Sequence, residues 1–324
     1  MRSTILMISL IITVTLMPTI IAANYQMLVE CVEDYTDVGQ SNLKYTCDAG
    51  NSFIAKITNA GSYSYRFYQD SAAWPSDWWT KEVGGLSYYP SYHAYMHDYA
   101  MFLGHGAPAY FMFGVKRPAV DGNSFSVVWL VSEGPNGYTW MYPHDNDGDG
   151  RYPRWITIYA CNVLDADSYT KIGYTVFDVF YYTFTNQGKS VPYLHGIVSA
   201  RTALVDWYKS CLICSEVPVS VNTMNDYANR LISGNSIVDA WFNAIWTQNY
   251  AKDIFGRKVL QAQPAALYYV VEFRDSNGNI LASYDYRYEG MLGFSTTIYP
   301  ALFQLSAPPG TTQIIYRKVY LYGS

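Results

Sequence analysis

A histidine and a cysteine stand at the exits of two short apolar runs in this chain. Tyr99-Ala100-Met101-Phe102-Leu103 leads into Gly104-His105-Gly106, and Trp155-Ile156-Thr157-Ile158-Tyr159 leads into Ala160-Cys161-Asn162. An imidazole beside a thiol is the minimum set for acyl transfer: the thiolate attacks, and the ring takes the thiol proton and later returns it to the leaving group. The glycine after His105 lets a substrate backbone come close. The N–H groups of Gly106 and of Cys161 are then the natural donors to a tetrahedral oxyanion. Taken singly, each residue has a plain structural role open to it, a buried strand-end thiol and a satisfied turn histidine. It is their joint placement in matching strand contexts that points to chemistry.

For ring and sulfur to meet, the two runs must be neighbouring strands. Both have the length and the β-branched or aromatic content of strands buried in a parallel sheet. Their common exit would then lie outside the carboxyl ends of the strands, where open α/β sheets place their sites. The flanking chain reads accordingly. Residues 26–32 predict a first strand, 42–60 a helix closed by Gly61, and 63–68 a second strand, which together make a βαβ unit. Residues 71–90, with Trp74, Pro75, Trp78, Trp79 and Pro90, predict a loop carrying a short helix. Strands are expected at 111–115, 124–132 and 193–198, and an aromatic-rich cover over the sheet at 174–185. Residues 222–250 carry the clearest helical periodicity, broken at Gly234-Asn235-Ser236, with Ser236 capping the second half. From 264 onward the pattern is β, with strands expected at 266–273, 280–286, 294–304 and 313–321, and an Asn277-Gly278 turn between the first two. The expected organisation is a leader at 1–23, an α/β domain at 24–263, and at 264–324 a small β appendage or edge strands of the main domain.

The leader has a positive start at Arg2, an apolar core at 5–16, the helix breaker Pro18, and small residues Ala22-Ala23 at the cleavage point. It predicts a secreted or cell-surface protein, with no later segment approaching the roughly 18 uncharged apolar residues that a spanning helix needs. Five cysteines are an odd number for an exported chain. Cys31, Cys47, Cys211 and Cys214 can form two disulfides, leaving Cys161 as the free thiol. Connectivity among those four stays open, and Cys211-Leu212-Ile213-Cys214 is also a metal half-site, without a second Cys or His pair nearby at zinc spacing.

A second motif is Asp145-Asn146-Asp147-Gly148-Asp149-Gly150. Asp145, Asp147 and Asp149 take positions one, three and five of a calcium loop, and Gly150 takes position six, where the chain must turn. Position twelve is Ile156 instead of Glu, so Asp165 or Asp167 would have to supply the missing ligand. The other reading is a solvated acidic turn. The expected cofactor is thus a structural Ca2+ and no organic group. His93 and His97 are four apart and could share a helical face, but without a Glu-containing signature they read as surface or core residues. His144 and His195 receive no role.

With these residues in place the chain resembles a known group. The separation 161 − 105 = 56 is close to the roughly 50 of the caspase arrangement. The order of strand, His-Gly, spacer, strand, Ala-Cys is similar to that of the caspase, gingipain, clostripain and legumain group of cysteine peptidases. Leu194-His195-Gly196-Ile197-Val198 resembles the core strand that follows the nucleophile in gingipain-like domains, and residues 234–244 resemble their late helix. The segment from Asp98 to Gly106 is also similar to a secreted caspase-like family of unknown function. The resemblance spans roughly residues 25–262. It implies a caspase-like three-layer α/β sandwich with a mostly parallel sheet of about six strands and helices on both faces, followed by a small C-terminal β region. It further implies His105 as general base and acid, Cys161 as nucleophile and Gly106 as oxyanion donor. One departure is plain: Cys161 is followed by Asn162-Val163-Leu164-Asp165, not by a Gly- or Ser-rich continuation.

Composition narrows the partners. A net charge of −5 with no basic cluster argues against nucleic acid, leaving a protein or peptide substrate. The 33 tyrosines suit either a robust exterior or a binding face. Two functions follow: a secreted cysteine endopeptidase working through an acyl-enzyme, or a catalytically silent, tyrosine-rich binding or envelope protein on the same scaffold.

Overall fold

The computed structural model describes residues 25–61, 63–79, 97–118, 123–130, 153–171, 194–209, 215–253, 255–300 and 305–323. The leader, His93, His144, the acidic loop at 145–150, the aromatic stretch at 174–185, and Cys211 with Cys214 lie outside these residues.

The chain opens with β1 (Tyr25–Cys31), α1 (Thr46–Ala60) and β2 (Tyr63–Gln69), and β1 and β2 pair in parallel. Gly61 follows the helix in extended backbone. Its missing side chain is required by Phe294, whose ring would lie 2.6 Å from a Cβ there. β3 (Tyr99–Leu103) pairs with β1 on the side away from β2. Next come β4 (His105–Ala107), β5 (Tyr110–Pro118) and β6 (Ser124–Trp129), then β7 (Trp155–Tyr159), α2 (Ala166–Lys171) and β8 (Gly196–Ala200). Two short strands, β9 (Trp207–Lys209) and β10 (Glu216–Pro218), precede α3 (Val219–Ile232) and α4 (Ile237–Gln248). The break between those helices falls at the expected glycine, and the Ser236 hydroxyl caps α4 by accepting from Asp239 N at 3.1 Å. The remainder is β11 (Tyr250–Lys252), β12 (Lys258–Gln261), β13 (Pro264–Arg274), β14 (Ile280–Asp285) and β15 (Gln313–Tyr322).

The central sheet has eight strands. β2, β1, β3, β7 and β8 run parallel, in that order, and β13 then joins β8 antiparallel. β15 pairs with β13 over ten residues, and β14 pairs with the far half of β13. Residues 264–324 thus contribute strands to the central sheet. The run at 294–304 forms no strand over its described part, 294–300. β3, β7 and β8 are buried at every residue, as strands covered on both faces must be.

The two faces are covered differently. Alternation along β3 sends Tyr99 to one side and Phe102 to the other. Tyr99 stacks on Phe53 of α1, and its hydroxyl reaches Tyr227 of α3 at 3.1 Å. Phe102 instead meets Phe111 and Phe113 of β5, with ring centroids 4.6 and 4.8 Å away. Among the described residues, then, three helices cover one face, and over β1 and β3 the other is covered by a separate antiparallel sheet, β4-β5-β6. The strands expected at 111–115 and 124–132 belong to this small sheet.

Beneath the small sheet lies a buried acid pair. Glu30 of β1 and Asp77 are both sealed from solvent, and the Trp78 indole donates to Glu30 Oε2 at 2.6 Å. Glu30 Oε1 and Asp77 Oδ1 have no other partner, the arrangement expected of two carboxyls sharing one proton. Burial pushes both groups above the usual carboxylate range, Asp77 to about 7, and the charge of Asp77 pushes Glu30 further. The folded chain therefore keeps a proton that the unfolded chain loses near pH 4, so stability falls as pH climbs from about 4 toward about 7. Glu30→Gln keeps the acceptor for Trp78 and supplies a donor to Asp77. Urea melts across this window should show the wild-type loss flattened by roughly 1–2 kcal/mol in the variant; an unchanged slope would exclude the shared proton.

Candidate functional site

The last pair in the β3–β7 register is Leu103 with Tyr159. Gly104 N continues it by donating to Tyr159 O at 3.1 Å. His105 and Cys161 each lie two residues beyond that last pair, so parallel pairing carries both to one rim of the sheet, at its carboxyl edge. The two crossings touch. A Cβ on Gly106 would lie 2.7 Å from the Ala160 Cβ and the Val163 Cγ2, and 3.0 Å from the Cys161 carbonyl oxygen. Only a residue without a side chain permits this approach, and it turns β4 off the central sheet to pair with β5.

His105 is held by the loop between β1 and α1. The Tyr35 ring packs on the imidazole at 4.5 Å between centroids. The Tyr35 hydroxyl accepts from His105 N at 2.7 Å and donates to Met112 O at 2.9 Å, which inserts it into the β4–β5 ladder. Burial pushes this phenol well above its ordinary pKa, so it stays a donor. His105 Nε2 lies 2.7 Å from the Ser41 carbonyl. A carbonyl only accepts, so Nε2 carries the hydrogen, and in the neutral ring Nδ1 holds the lone pair that can receive a proton. Asn42 anchors the loop by accepting from Tyr35 N at 2.8 Å. The whole segment is closed by a disulfide from Cys31 to Cys47, sixteen residues apart in sequence. Because His105 N–H points toward β5, alternation along β4 sends the Gly106 N–H away from it.

Cys161 is a free, half-buried thiol. Leu204 N donates to its sulfur at 3.3 Å, and the thiol faces Leu204 O at 3.8 Å. Burial pushes the thiol above its usual pKa, and the Leu204 N–H only partly opposes this. Among the described residues no hydrogen bond joins the His105 ring to the Cys161 sulfur. The 204–206 segment is fixed by Asn249, fully buried after α4: its Oδ1 accepts from Val205 N at 2.9 Å, and its Nδ2 donates to the Tyr159 hydroxyl at 2.6 Å.

The residues after Cys161 have local reasons. Asn162 takes a left-handed φ of 58°, a region that asparagine tolerates. Val163 and Leu164 are buried. Asp165 caps α2, accepting from Ser168 Oγ at 2.5 Å and from Asp167 N at 3.3 Å, and Asp167 pairs with Arg201. Both carboxylates considered for the missing calcium position are thus engaged locally. Asp145, Asp147 and Asp149 themselves lie outside the described residues, and among the described ones no group of three acidic, His or Cys side chains could hold a metal ion. His97 is buried. His195 is buried against Glu289, with Nδ1 2.5 Å from Oε2, before β8 at the opposite rim.

Sequence reasoning missed Tyr35 and Asn249. Nothing marks Tyr35 among 33 tyrosines; the signal available for Asn249 was a polar residue directly after a helix of strong apolar periodicity.

A family model described as "Domain of unknown function (DUF6345)" matches residues 29–255. No curated protein matches the chain. Among solved structures, the chain is similar to the complex of Porphyromonas gingivalis RgpB pro- and mature domains, with TM-score 0.38 and 10% identity over 80% of this chain and 59% of that one. It is also similar to the Arg specific cysteine proteinase gingipain R, with TM-score 0.40 and 10% identity over 80% and 57%. The chain spans less than three-fifths of either protein.

The Gly104 crossing offers a direct test. A Cβ there would lie 2.3 Å from the Tyr35 hydroxyl oxygen, so Gly104→Ala should cost about 2–3 kcal/mol in chemical denaturation. Tyr35→Phe should cost about 1–3 kcal/mol by orphaning His105 N and Met112 O. Since the hydroxyl is the nearest atom struck, ahead of the Phe102 ring at 2.7 Å, the double variant should lose less than the sum. Additive losses would show that the clamp is not where the strain falls.

Proposed function

The chain belongs to this family of unknown function, and from that premise we propose that it is a cysteine-peptidase-like protein with His105 and Cys161 as its dyad. The observation that carries the reading is the β3–β7 register, which puts both residues at equivalent positions past the same strand pair. Supporting it is the resemblance of the two strand exits to those of the caspase, gingipain, clostripain and legumain group.

In the proposed reaction the His105 Nδ1 lone pair takes the thiol proton as the sulfur attacks a peptide carbonyl, forming a carbon–sulfur bond and an oxyanion. The Gly106 and Cys161 N–H groups donate to that oxygen. The carbon–nitrogen bond then breaks, and the departing amine receives the proton from the imidazolium. Water, deprotonated by the same ring, hydrolyses the thioester and returns the free thiol. Because burial disfavours the thiolate, the proton must leave as the bond forms. Export is part of the proposal: it rests on the leader at residues 1–23 and agrees with the Cys31–Cys47 disulfide, a bond of oxidising compartments.

A specific observation favours the silent scaffold as second reading. The His105 ring is bonded to Ser41 and the thiol to Leu204, so neither group bonds the other. An electrophilic peptidyl ketone decides between the two. Labelling should be lost in Cys161→Ala, kept in Cys211→Ala, and slowed on the order of a hundredfold in His105→Ala. Simple iodoacetamide alkylation of Cys161 should go on accelerating past pH 9, the ordinary value of the thiol. Absence of peptidyl labelling in the wild type across roughly pH 5–9, with and without calcium, would establish the scaffold reading.

A further inference from the structure

A hairpin beside this rim has features that acyl transfer does not use. β11 follows directly on Asn249, and β12 pairs with it antiparallel. Lys258, Val259 and Leu260 of β12 are exposed in succession. A strand lying on a body alternates between covered and open positions, so residues 258–260 project from the body, while Gln261 ties the strand's end to the Ile245 and Asn249 carbonyls.

Asp253 ties Phe255 and Arg257 together, and the Phe255 ring projects outward. The Asp253 carboxylate accepts from Phe255 N and Arg257 N, both at 2.9 Å, and from Arg257 Nε at 2.8 Å. Gly256 supplies the left-handed residue with φ 78°. Phe255 is nevertheless 75% exposed, Val259 62% and Leu260 41%. Arg257 balances Asp253 in an ion pair. Lys252 and Lys258 are left as excess positive charge, their ammonium groups 5.5 and 4.3 Å from the Tyr250 ring. In a chain of net charge −5 this is a local inversion of sign.

We infer that the β11–β12 hairpin is an interfacial anchor for an anionic phospholipid surface, with Phe255 entering the headgroup boundary and Lys252 and Lys258 meeting lipid phosphates. Charge complementarity selects the anionic surface. Size favours a bilayer over a protein, because one projecting ring flanked by two lysines is a small contact beside the ~800 Å2 per partner of a stable protein interface. An exposed aromatic flanked by cations suffices at a membrane boundary. Docked in this way, the hairpin would hold the rim carrying His105 and Cys161 close to the membrane. The inference does not depend on that rim being catalytic.

Co-sedimentation of the full chain with phosphatidylcholine vesicles, with and without about one-third phosphatidylglycerol, tests it. The anionic vesicles should bind about tenfold more protein at low salt, and most of that gain should vanish near 0.5 M salt. Phe255→Ser should weaken binding about tenfold, and Lys258→Glu should abolish the preference for anionic lipid. Because both side chains are exposed, circular dichroism and melting should stay at wild-type values. Equal binding to both vesicle types, no binding to either, or wild-type binding by Phe255→Ser would overturn the inference. So would a self-associating wild type made monomeric by Phe255→Ser without lipid, which would assign the finger to a second copy of the chain.

Discussion

The close approach of the chain at Gly104–Gly106 to the chain at 159–163 is the contact on which the carboxyl rim depends. Two glycines make it possible for opposite reasons of space. At Gly104 the obstacle to a side chain is the Tyr35 hydroxyl with the Phe102 ring; at Gly106 it is Ala160, Val163 and the Cys161 carbonyl. Between them sits His105. β3 delivers it beside Cys161, and the turn away from the central sheet into β4 then lets β5 and Tyr35 grip its backbone. A side chain at Gly106 would push the histidine strand away from the cysteine strand, one at Gly104 would displace the Tyr35 hydroxyl and the Phe102 ring, and no single hydrogen bond in the region could offset overpacking of that size.

The orientation of the imidazole belongs to the 32–46 loop more than to the strand that bears it. Tyr35 supplies the ring contact and the backbone bridge, Ser41 the carbonyl for Nε2, and Asn42 the tie that sets Tyr35. Each hydrogen bond is worth about 1 kcal/mol net. Closure of this loop by the Cys31–Cys47 disulfide is worth about 3 kcal/mol at a sixteen-residue separation. The covalent clip is thus comparable to the polar contacts taken together, and those contacts select one arrangement within what it allows. A second clamp works on the other side, where Asn249 links the end of β7 to the segment that touches the sulfur. Histidine and cysteine are thus held by separate parts of the chain, which meet at the glycine contact and again where the Lys44 and Tyr45 N–H groups donate to Asp206 Oδ2 at 2.7 and 3.1 Å.

What was legible in the sequence follows from burial. β3, β7 and β8 are covered on both faces, so they appear as unbroken apolar runs whose parallel neighbours are written in the same code. The α3–α4 break at Gly234 and the β13–β14 turn at Asn277-Gly278 were readable because backbone conformation alone restricts which residues fit there. The small sheet was not readable as separate, since alternation fixes a strand's faces but not which sheet it joins. The run at 294–304 has strand composition, yet Phe294 serves by stacking on Tyr63, with centroids 6.0 Å apart. The positioning residues were hidden for a related reason: Tyr35 acts through its surroundings, and spacing along the chain carries no trace of them.

The state of the thiol sets how such a rim can work. Withdrawal from water disfavours the Cys161 thiolate, and one N–H from Leu204 does not compensate. A substrate seated over the sulfur would exclude more water and disfavour the anion further. A preformed thiolate–imidazolium pair would need a bond from Nδ1 to the sulfur, and among the described residues the sulfur is bonded to Leu204 instead. The hydrogen bond from Nε2 to the Ser41 carbonyl leaves Nδ1 with the lone pair of the neutral ring, so that carbonyl sets which nitrogen can accept a proton. The arrangement favours transfer of the proton during attack over ionisation before it. A loop carbonyl far from the cysteine in sequence thereby determines which nitrogen is available for the proposed proton transfer.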